Sequence, residues 1–257
     1  RALLALGRAP EALPHLEAAV AARPDDAVLR FARDVAAGAL PPRPPDAFVA
    51  TLFDEMAPGF DEHLVEKLGY RIPSRIAQVL GGWLDARPRP RRVLDLGCGT
   101  GLVADALRGR YESMHGVDLS PRMVEKARAR RLYEAVEAAE LSAFLEGRAA
   151  ESADLVIAAD VFVYVGDLAG VFAQAARVLA PGGRFAFSVE GGGPGEGFRL
   201  DSTSRYSHAD AYIRALAASQ GFAVAHDSPE TIRAERGVPA GGRLYVLEKK
   251  GSDPFFG

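Results

Sequence analysis

Residues 93–101 read V-L-D-L-G-C-G-T-G, and this stretch decides the fold. The apolar residues before the glycines predict a buried β-strand, and the glycines predict a tight turn into a helix that begins near Leu102. Because glycine has no Cβ, such a turn lets backbone N–H groups come close to a ligand. The turn also follows the carboxyl end of a strand, which is where open α/β sheets bind their ligands.

An acidic residue follows the second predicted strand, which covers residues 114–117. This residue is Asp118. In a βαβ unit, an acid at this place accepts hydrogen bonds from the two hydroxyls of a ribose. The alternative is that the glycines only shape a turn. The glycine turn and Asp118 together favour a ligand that contains a nucleoside.

The chemistry of the turn distinguishes between two nucleoside cofactors. A dinucleotide site uses G-x-G-x-x-G/A, because the following helix receives a pyrophosphate at its N-terminus. Here the glycines follow G-x-G-x-G, and Leu102 stands where the third small residue is needed. Asp95, beside the turn, repels a pyrophosphate and attracts a cation. S-adenosylmethionine (SAM) carries an ammonium, a sulfonium and no phosphate, so the turn favours SAM over NAD.

The chain resembles the class I SAM-dependent methyltransferases over roughly residues 58–250. The blocks that carry the resemblance are V-L-D-L-G-C-G-T-G at 93–101, G-V-D-L-S at 116–120, D-L-V-I-A-A-D at 154–160 and P-G-G at 181–183. The segment F-D-E-H-L-V-E-K-L-G-Y-R-I-P at 60–73 is similar to a subgroup with an N-terminal tetratricopeptide (TPR) segment. The resemblance implies an α/β, Rossmann-like sheet of seven strands in the order 3-2-1-4-5-7-6, with the last strand antiparallel.

The resemblance also implies which residues bind the cofactor. The glycines would present backbone to its methionine part, Asp95 would take the amino group, Asp118 would hold the ribose hydroxyls and Leu119 would pack on the adenine. The expected cofactor-binding residues are Tyr70, Arg71, Asp95, Gly97, Cys98, Gly99, Gly101, Asp118, Leu119, Met123, Glu140, Leu141, Ala159 and Asp160. Glu140 has a competing interpretation as an exposed acid at a helix start, where the helix dipole favours negative charge.

Methyl transfer is an in-line SN2 step that mainly needs the acceptor atom held in position and water excluded. A base is needed only if the acceptor carries a proton. The candidate catalytic residues are His63, Tyr70, Glu190 and His208, with Arg71, Arg199 and Tyr206 as further groups on the acceptor side. For each of them a surface or core role is the competing interpretation. D-V-F-V at 160–163 replaces the N/D-P-P-Y/F of the amide- and adenine-methylating branches, so those acceptors are not expected.

Composition excludes several classes of protein. The chain has 257 residues, of which 48% are hydrophobic and 25% charged, so we expect a globular protein. A net charge of −3 argues against nucleic-acid binding, and the basic run at 87–92 is interpreted as a solvated linker. No apolar run is long enough for a membrane span. Cys98 is the only cysteine, which suits a cytoplasmic protein without disulfides, and no metal is expected.

The first forty residues differ from the rest, with Ala, Leu and Arg at helical spacing. Gly7, Ala12, Leu16, Ala19 and Pro24 match the later part of a TPR unit, so we expect the chain to start inside a longer repeat region. An ordinary helical hairpin is the alternative. The expected domains are a TPR-like segment at 1–40, a Pro-rich linker at 41–47, a helical lid at 48–90, the SAM-binding core at 91–250 and a tail at 251–257.

Alternating patterns after residue 91 predict a mostly parallel sheet with helices on both faces. Strands are predicted near 92–96, 113–117, 134–138, 154–159, 184–190, 221–226 and 243–249, and helices near 101–110, 121–131, 141–146, 168–179 and 208–220. A glycine-rich stretch at 191–197 is expected to form a loop at the mouth of the pocket.

The sequence therefore predicts a SAM-dependent methyltransferase that acts on an O, N or S nucleophile of a small molecule. The mixture of Arg, His and Tyr among the candidate residues favours that acceptor class. One alternative is a protein or peptide methyltransferase recruited by the TPR segment, which could also bind a protein partner. Another is a SAM-binding regulatory or scaffolding module without turnover, and a third, an NAD-dependent oxidoreductase, is disfavoured by Leu102 and Asp95.

Overall fold

The structure is a computed structural model. It describes residues 2–86, 91–191, 195–201, 203–235 and 238–251. The first four residues of the basic run, residues 192–194 of the glycine-rich stretch and residues 252–257 of the predicted tail lie outside the described residues. None of the described helices is both long and apolar enough to cross a membrane.

Most of the strands form one large sheet. The described strands are β1 Arg92–Leu96, β2 Ser113–Asp118, β3 Ala135–Ala138, β4 Ala153–Ala158, β5 Leu179–Glu190, β6 Phe198–Leu200, β7 Tyr206–His208, β8 Phe222–Glu235 and β9 Val238–Lys249. Seven of them pair in the order β3-β2-β1-β4-β5-β9-β8, and β6 pairs with β7 separately. In this order, the neighbouring strands from β3 through β2, β1 and β4 to β5 pair in parallel. Strand β9 pairs antiparallel to β5. Counted within this sheet alone, the order is 3-2-1-4-5-7-6.

Helices cover both faces of the sheet. The described helices are α1 Ala2–Ala5, α2 Ala9–Ala22, α3 Ala27–Ala36, α4 Asp46–Met56, α5 Ile72–Asp85, α6 Leu102–Ala106, α7 Pro121–Ala129, α8 Leu141–Glu146, α9 Ala169–Val178 and α10 Asp210–Ser219, together with a π-helical turn Glu62–Lys67 and a 3₁₀ turn Phe162–Tyr164. Residues of α8, α9 and α10 pack on one face, and residues of α5, α6 and α7 pack on the other.

Strand β4 shows why the sheet needs helices on both sides. All six of its residues are buried. Val156 and Ala158 point into one core layer, and Leu155 and Ile157 point into the other, because successive side chains leave a strand on opposite faces. Burying each such Val, Leu or Ile contributes about 1.5–3 kcal/mol. The sheet therefore holds the carboxyl ends of β1 and β4 in fixed positions.

The segment predicted as a linker is fastened to the core. We call residues 41–46 the strap. The Pro42 carbonyl accepts hydrogen bonds from the backbone N–H groups of Gly166 at 2.9 Å and Asp167 at 3.0 Å. The Pro41 carbonyl accepts one from the Tyr206 hydroxyl at 2.8 Å. The strap is thus a packed part of the molecule, although its proline content predicted a stiff spacer.

The region from residue 195 onward differs most from the sequence prediction. Part of the stretch expected to be a loop leads into the β6–β7 hairpin, and His208 closes that hairpin as a strand residue instead of starting a helix. Helix α10 begins at Asp210. Strands β8 and β9 are also longer than predicted, because they pair with each other well beyond the edge of the sheet. These pairings are long-range, so local patterns do not reveal them.

Before the strap, α2 packs against α3. Asp26 caps α3, since its carboxylate accepts from the N–H groups of Val28 at 3.0 Å and Leu29 at 3.1 Å. Phe31 on α3 lies 5.5 Å from Phe48 on α4, which joins this helical pair to the lid region. The TPR interpretation of the pair stays a prediction.

Candidate cofactor and acceptor site

The glycine turn after β1 has a backbone that other residues adopt only with strain. Gly97, Gly99 and Gly101 have φ angles of 60°, 53° and 94°. A Cβ on Gly97 would lie 2.6 Å from Cγ2 of Val161, so a side chain cannot fit there without movement. The turn therefore brings β1 close to the loop after β4 and leaves backbone groups open to a ligand.

Asp95 lies beneath the turn and is 1% exposed. The Tyr133 hydroxyl donates a hydrogen bond of 2.7 Å to its Oδ2 atom. Its Oδ1 atom is buried and has no hydrogen-bond partner among the described residues. Burial raises the pKa of Asp95 to about 7, and the negative charge of Asp118 adds to this effect. A buried acceptor atom without a donor is costly, so this oxygen favours a ligand that brings a donor.

Asp118, at the end of β2, ties together two loops. One carboxylate oxygen accepts from the Gly99 N–H at 2.8 Å, and the other accepts from the Ser120 N–H at 2.9 Å. Burial raises the pKa of this carboxyl, and the two backbone hydrogen bonds act in the opposite direction. Each oxygen keeps a second lone pair, so the carboxylate can still accept hydrogen bonds from a ligand.

Two clefts open at the carboxyl edge of the sheet, on either side of the glycine turn. The strap cleft, of about 650 Å³, is lined among others by Arg43, Pro44, Phe53, Asp118, Leu119 and Leu141. The glycine cleft, of about 470 Å³, is lined among others by Phe60, Tyr70, Cys98, Gly99, Thr100 and Ala159. Gly97 and Asp160 line both clefts. A ligand that fills both clefts must therefore pass these two residues.

Asp160 follows β4 and has an uncommon backbone for a residue with a side chain, with φ at 58°. Its N–H donates to the Ser188 hydroxyl at 2.8 Å. Nη1 of Arg233 lies 3.0 Å and 2.9 Å from the two carboxylate oxygens, and Nη2 of Arg233 pairs with Glu190. Burial raises the pKa of Asp160 to about 6, while the positive charge of Arg233 opposes that rise.

Two residues of this site had not been singled out from the sequence. Arg233 belongs to a part of β8 beyond the predicted end of that strand, so nothing in the local pattern connects it with Asp160. Tyr164 lines the strap cleft and packs edge-on against Phe53, with ring centroids 5.3 Å apart.

Several predicted cofactor-binding residues lie at the clefts. Leu119, Glu140 and Leu141 line the strap cleft, and Cys98 and Ala159 line the glycine cleft. The Glu140 carboxylate also accepts from the N–H groups of Ser142 and Ala143 at 2.8 Å and 3.1 Å, which is the capping role that competed with adenine contact. Nη1 of Arg43 in the strap pairs with Glu140 at 2.9 Å.

Tyr70 is the one predicted catalytic residue that lines a cleft. It is buried, and burial raises the pKa of its phenol well above the ordinary value, with the negative charge of Asp160 as the next cause. The phenol therefore keeps its proton and acts as a hydrogen-bond donor. Glu190 lies behind Asp160, on the far side of Arg233.

Other predicted site residues lie away from the clefts, and the structure does not support the roles expected for them. His63 is exposed and borders a separate hollow beside Lys67, and Arg71 is exposed at the start of α5. Met123 is fully buried in the core, because it faces inward from α7. On the acceptor side, Arg199 is exposed on β6 and the buried Tyr206 contacts the strap.

His208 is also placed differently from the prediction. It is 2% exposed, and its Nε2 atom lies 2.9 Å from the carbonyls of both Val165 and Gly166. Burial lowers the pKa of His208 to about 4, so the ring is neutral and Nε2 donates to these carbonyls. Its expected catalytic role came from residue type alone, which carries no information about burial.

The lid region, residues 46–67, contains α4 and the π-helical turn. Its carboxylates contact the glycine turn and the loop after β2. Asp61 accepts a hydrogen bond from the Thr100 hydroxyl and pairs with Arg130. Asp54 accepts one from the Ser120 hydroxyl at 2.5 Å. These contacts fix the lid over the edge of the sheet. Within the described part of the chain, no three His, Cys, Asp or Glu side chains gather as a metal site.

Comparison with known proteins agrees with this geometry. Residues 94–187 match the family model of a methyltransferase domain. A ubiquinone biosynthesis O-methyltransferase of Thiobacillus denitrificans is 34% identical over 116 residues, which cover 42% of this chain and 48% of that protein. Across the first curated relatives, the chain spans 34%, 48% and 64% of the relative's length.

Solved structures share the fold at low sequence identity. The 1,6-didemethyltoxoflavin-N1-methyltransferase of Burkholderia thailandensis superposes with a TM-score of 0.60 at 19% identity, covering 82% of this chain and 93% of that one. The cyclase SpnF superposes with a TM-score of 0.64 at 16% identity, covering 83% and 99%. The family match shows a methyltransferase domain at residues 94–187, and the solved structures show that this chain shares their fold.

Proposed function

We propose that the protein transfers the methyl group of SAM to an oxygen, nitrogen or sulfur nucleophile of a small molecule. The observation that carries this proposal is the pair of clefts that meet at Gly97 and Asp160 over a glycine turn. One cleft offers Asp118 and apolar residues for a nucleoside, and the other offers the backbone of the glycine turn, with Asp95 buried beneath it, for an amino acid. When bound, SAM supplies a methyl group activated by a sulfonium leaving group.

The residues of the site fit the charges and shape of that cofactor. The Oδ1 atom of Asp95, which has no partner among the described residues, is an acceptor for an ammonium group. Asp118 is placed to accept from ribose hydroxyls, and Leu119 and Leu141 give an apolar surface for a purine. The absent side chains at Gly97 and Gly99 leave room for close backbone contact. The guanidinium at this turn, Arg130, donates to the Thr100 carbonyl and pairs with Asp61.

The chain's own residues can exclude water and orient an acceptor. Phe53, Phe60 and Tyr70 cover the clefts from the lid side. The protonated phenol of Tyr70 can donate a hydrogen bond to an acceptor or to the cofactor. Glu190 acts on the site through Arg233. We assign no general base, because a base is needed only for acceptors whose nucleophile carries a proton.

The direct test is titration of the purified protein with SAM and with S-adenosylhomocysteine (SAH) by calorimetry, followed by assay with methyl-labelled SAM against phenols, amines, thiols and carboxylates. We expect dissociation constants below the millimolar range for both ligands and label transfer to one acceptor class. His63→Ala, at an exposed residue outside both clefts, serves as a control with unchanged binding. Failure of both ligands to bind contradicts the proposal.

A second candidate function is SAM binding without methyl transfer. Two observations favour it: neither predicted histidine lies at a cleft, and a neighbour with the same fold is described as a cyclase. The same assay separates the candidates. Binding without transfer to any acceptor class supports this second function, and turnover excludes it as the only role.

The helical pair α2–α3 is the candidate for recruiting an acceptor or a partner protein. We propose that it is a TPR-type segment whose role is to bind a peptide acceptor or a protein partner, and that the protein works in the cytoplasm, which its single cysteine suits. Loss of acceptor methylation after removal of residues 1–39, with SAM binding retained, supports this proposal. Unchanged methylation of the same acceptor contradicts it.

A further inference from the structure

Asp160 occupies the junction of the two clefts. It lines the strap cleft, which we assign to the nucleoside, and the glycine cleft, which we assign to the amino acid. In SAM the sulfonium is the atom that joins these two parts. A ligand seated as proposed therefore passes its positive charge close to Asp160 and Gly97, and of these two only Asp160 carries a charge.

Asp160 belongs to a group of three charged side chains, of which Arg233 is buried and the two acids are partly buried. The side chains of Arg233, Asp160 and Glu190 are 3%, 16% and 17% exposed. Arg233 binds Asp160 through Nη1 and Glu190 through Nη2, so one guanidinium is shared by two carboxylates. Because Glu190 already offsets the positive charge of Arg233, the charge of Asp160 is not cancelled. The group as a whole carries one negative charge when both acids are ionised.

Other elements bring further charges toward Asp160. Arg205, which also hydrogen-bonds Tyr164, lowers the pKa of Asp160, but by less than Arg233 does. Tyr70 and Tyr164 face it as neutral phenols. Among the described residues that act on Asp160, the carboxyls of Asp160 and Glu190 are thus balanced by the guanidiniums of Arg233 and Arg205, and Asp160 is the charged side chain common to both clefts.

We infer that Asp160, held by Arg233 and with Glu190 offsetting that arginine, selects the positively charged SAM over its uncharged product SAH. This inference rests on the proposed function, because it requires SAM to occupy both clefts. The two ligands differ by one methyl group and one unit of charge at the position that Asp160 faces. A carboxylate there stabilises the charged ligand and does little for the neutral one, so product release becomes easier than it would be at a neutral site.

The test compares dissociation constants for SAM and SAH in the wild type, Asp160→Asn and Glu190→Gln. Asn tolerates the positive φ at this position, so the backbone is kept. We expect Asp160→Asn to weaken SAM binding about tenfold and SAH binding less than about threefold, as for loss of one partly buried charge pair. Glu190→Gln removes a negative charge that offsets Arg233, so Arg233 offsets Asp160 more fully and SAM binding alone should weaken by about threefold.

Three outcomes overturn the inference: an equal loss for both ligands in Asp160→Asn, no loss for either, or a greater loss for SAH. An equal loss would mean that the ion pair only holds the loop after β4 in place. If Asp160→Asn does not fold, Glu190→Gln gives the same comparison at a residue outside the clefts. If the wild type binds neither ligand, the proposed function fails. If it binds both and the ratio is unchanged in the variants, this inference alone fails.

Discussion

Asp95 near the carboxyl end of β1 is buried beneath the glycine turn, and Asp160 after β4 lines both clefts; the two acids are supported in different ways. Asp95 on β1 takes its hydrogen bond from Tyr133, 38 residues away and still within the first βαβ units. Asp160 after β4 takes its partner from Arg233, 73 residues away on the distal part of β8. The first acid keeps an oxygen that no described residue contacts, and both oxygens of the second accept from Arg233.

This difference assigns ligand affinity to one acid and ligand selectivity to the other. An acid with an open oxygen can take up a donor from a ligand, so Asp95 contributes to affinity. An acid held in an ion pair cannot rearrange easily, so Asp160 contributes a fixed charge to which ligands respond. The comparison leads to four predictions.

The largest effect on SAM binding is expected at the glycine turn, which lies near both Asp95 and Asp160. Gly97→Ala places a Cβ against Val161 at a positive φ, and we expect SAM binding to weaken by up to about 100-fold, since overpacking of this kind costs up to about 3 kcal/mol. Gly170→Ala is the matched control, because a Cβ there meets nothing within 4 Å. Calorimetric titration measures both. Tight binding by Gly97→Ala contradicts the close approach of the turn to the ligand.

Removing the support of Asp95 should give the next largest effect. Tyr133→Phe leaves both oxygens of the carboxyl without a protein donor and raises the pKa of Asp95 further. We expect SAM to bind about tenfold more weakly at pH 7, with part of the loss regained at higher pH as Asp95 ionises. Tyr111→Phe loses a hydroxyl that donates to the Leu132 carbonyl and should bind SAM normally. A loss that does not change with pH would contradict this role.

The fixed charge of Asp160 should make ligand preference depend on pH. Since the pKa of Asp160 is about 6, the carboxylate is ionised above that pH and protonated below it. We expect the preference for SAM over SAH to fall about fivefold in wild type between pH 7.5 and pH 5. Asp160→Asn should show a flatter profile, measured with the same two ligands. Parallel profiles for the two proteins would assign the titration to another group.

The smallest effect on ligand binding is expected at His208, which lies outside the clefts. Its pKa falls from 6.5 to about 4 in the folded protein, so the unfolded chain takes up the proton first. The stability that depends on a neutral ring is therefore complete above pH 6.5 and is lost as pH falls toward 4, by about 3 kcal/mol. His208→Asn should remove this part of the pH dependence in denaturant unfolding while SAM affinity stays the same. An unchanged pH dependence would contradict the burial argument.

The two acids also show which parts of the site can be predicted from the sequence. Asp95 and Asp118 were predicted as ligand-binding residues because the first βαβ units encode their positions in short spacings, and Leu119 was predicted from the family resemblance. Arg233 and the strap were missed because their contacts join segments distant along the chain, and no local pattern records such pairing. His63 and His208 were given catalytic roles from residue type, which does not distinguish a surface ring or a buried neutral ring from one in a pocket.

The hydrogen bonds that fasten the strap have a practical consequence for anyone who shortens this protein. A version that starts at residue 48 would keep every strand of the sheet, so it should fold. It would lack Arg43, Pro44 and Asp46, which form one wall of the strap cleft. The smallest piece that folds is therefore shorter than the smallest piece that binds. A trimmed form judged only by its melting curve would be accepted although Arg43, Pro44 and Asp46 are missing from its nucleoside pocket.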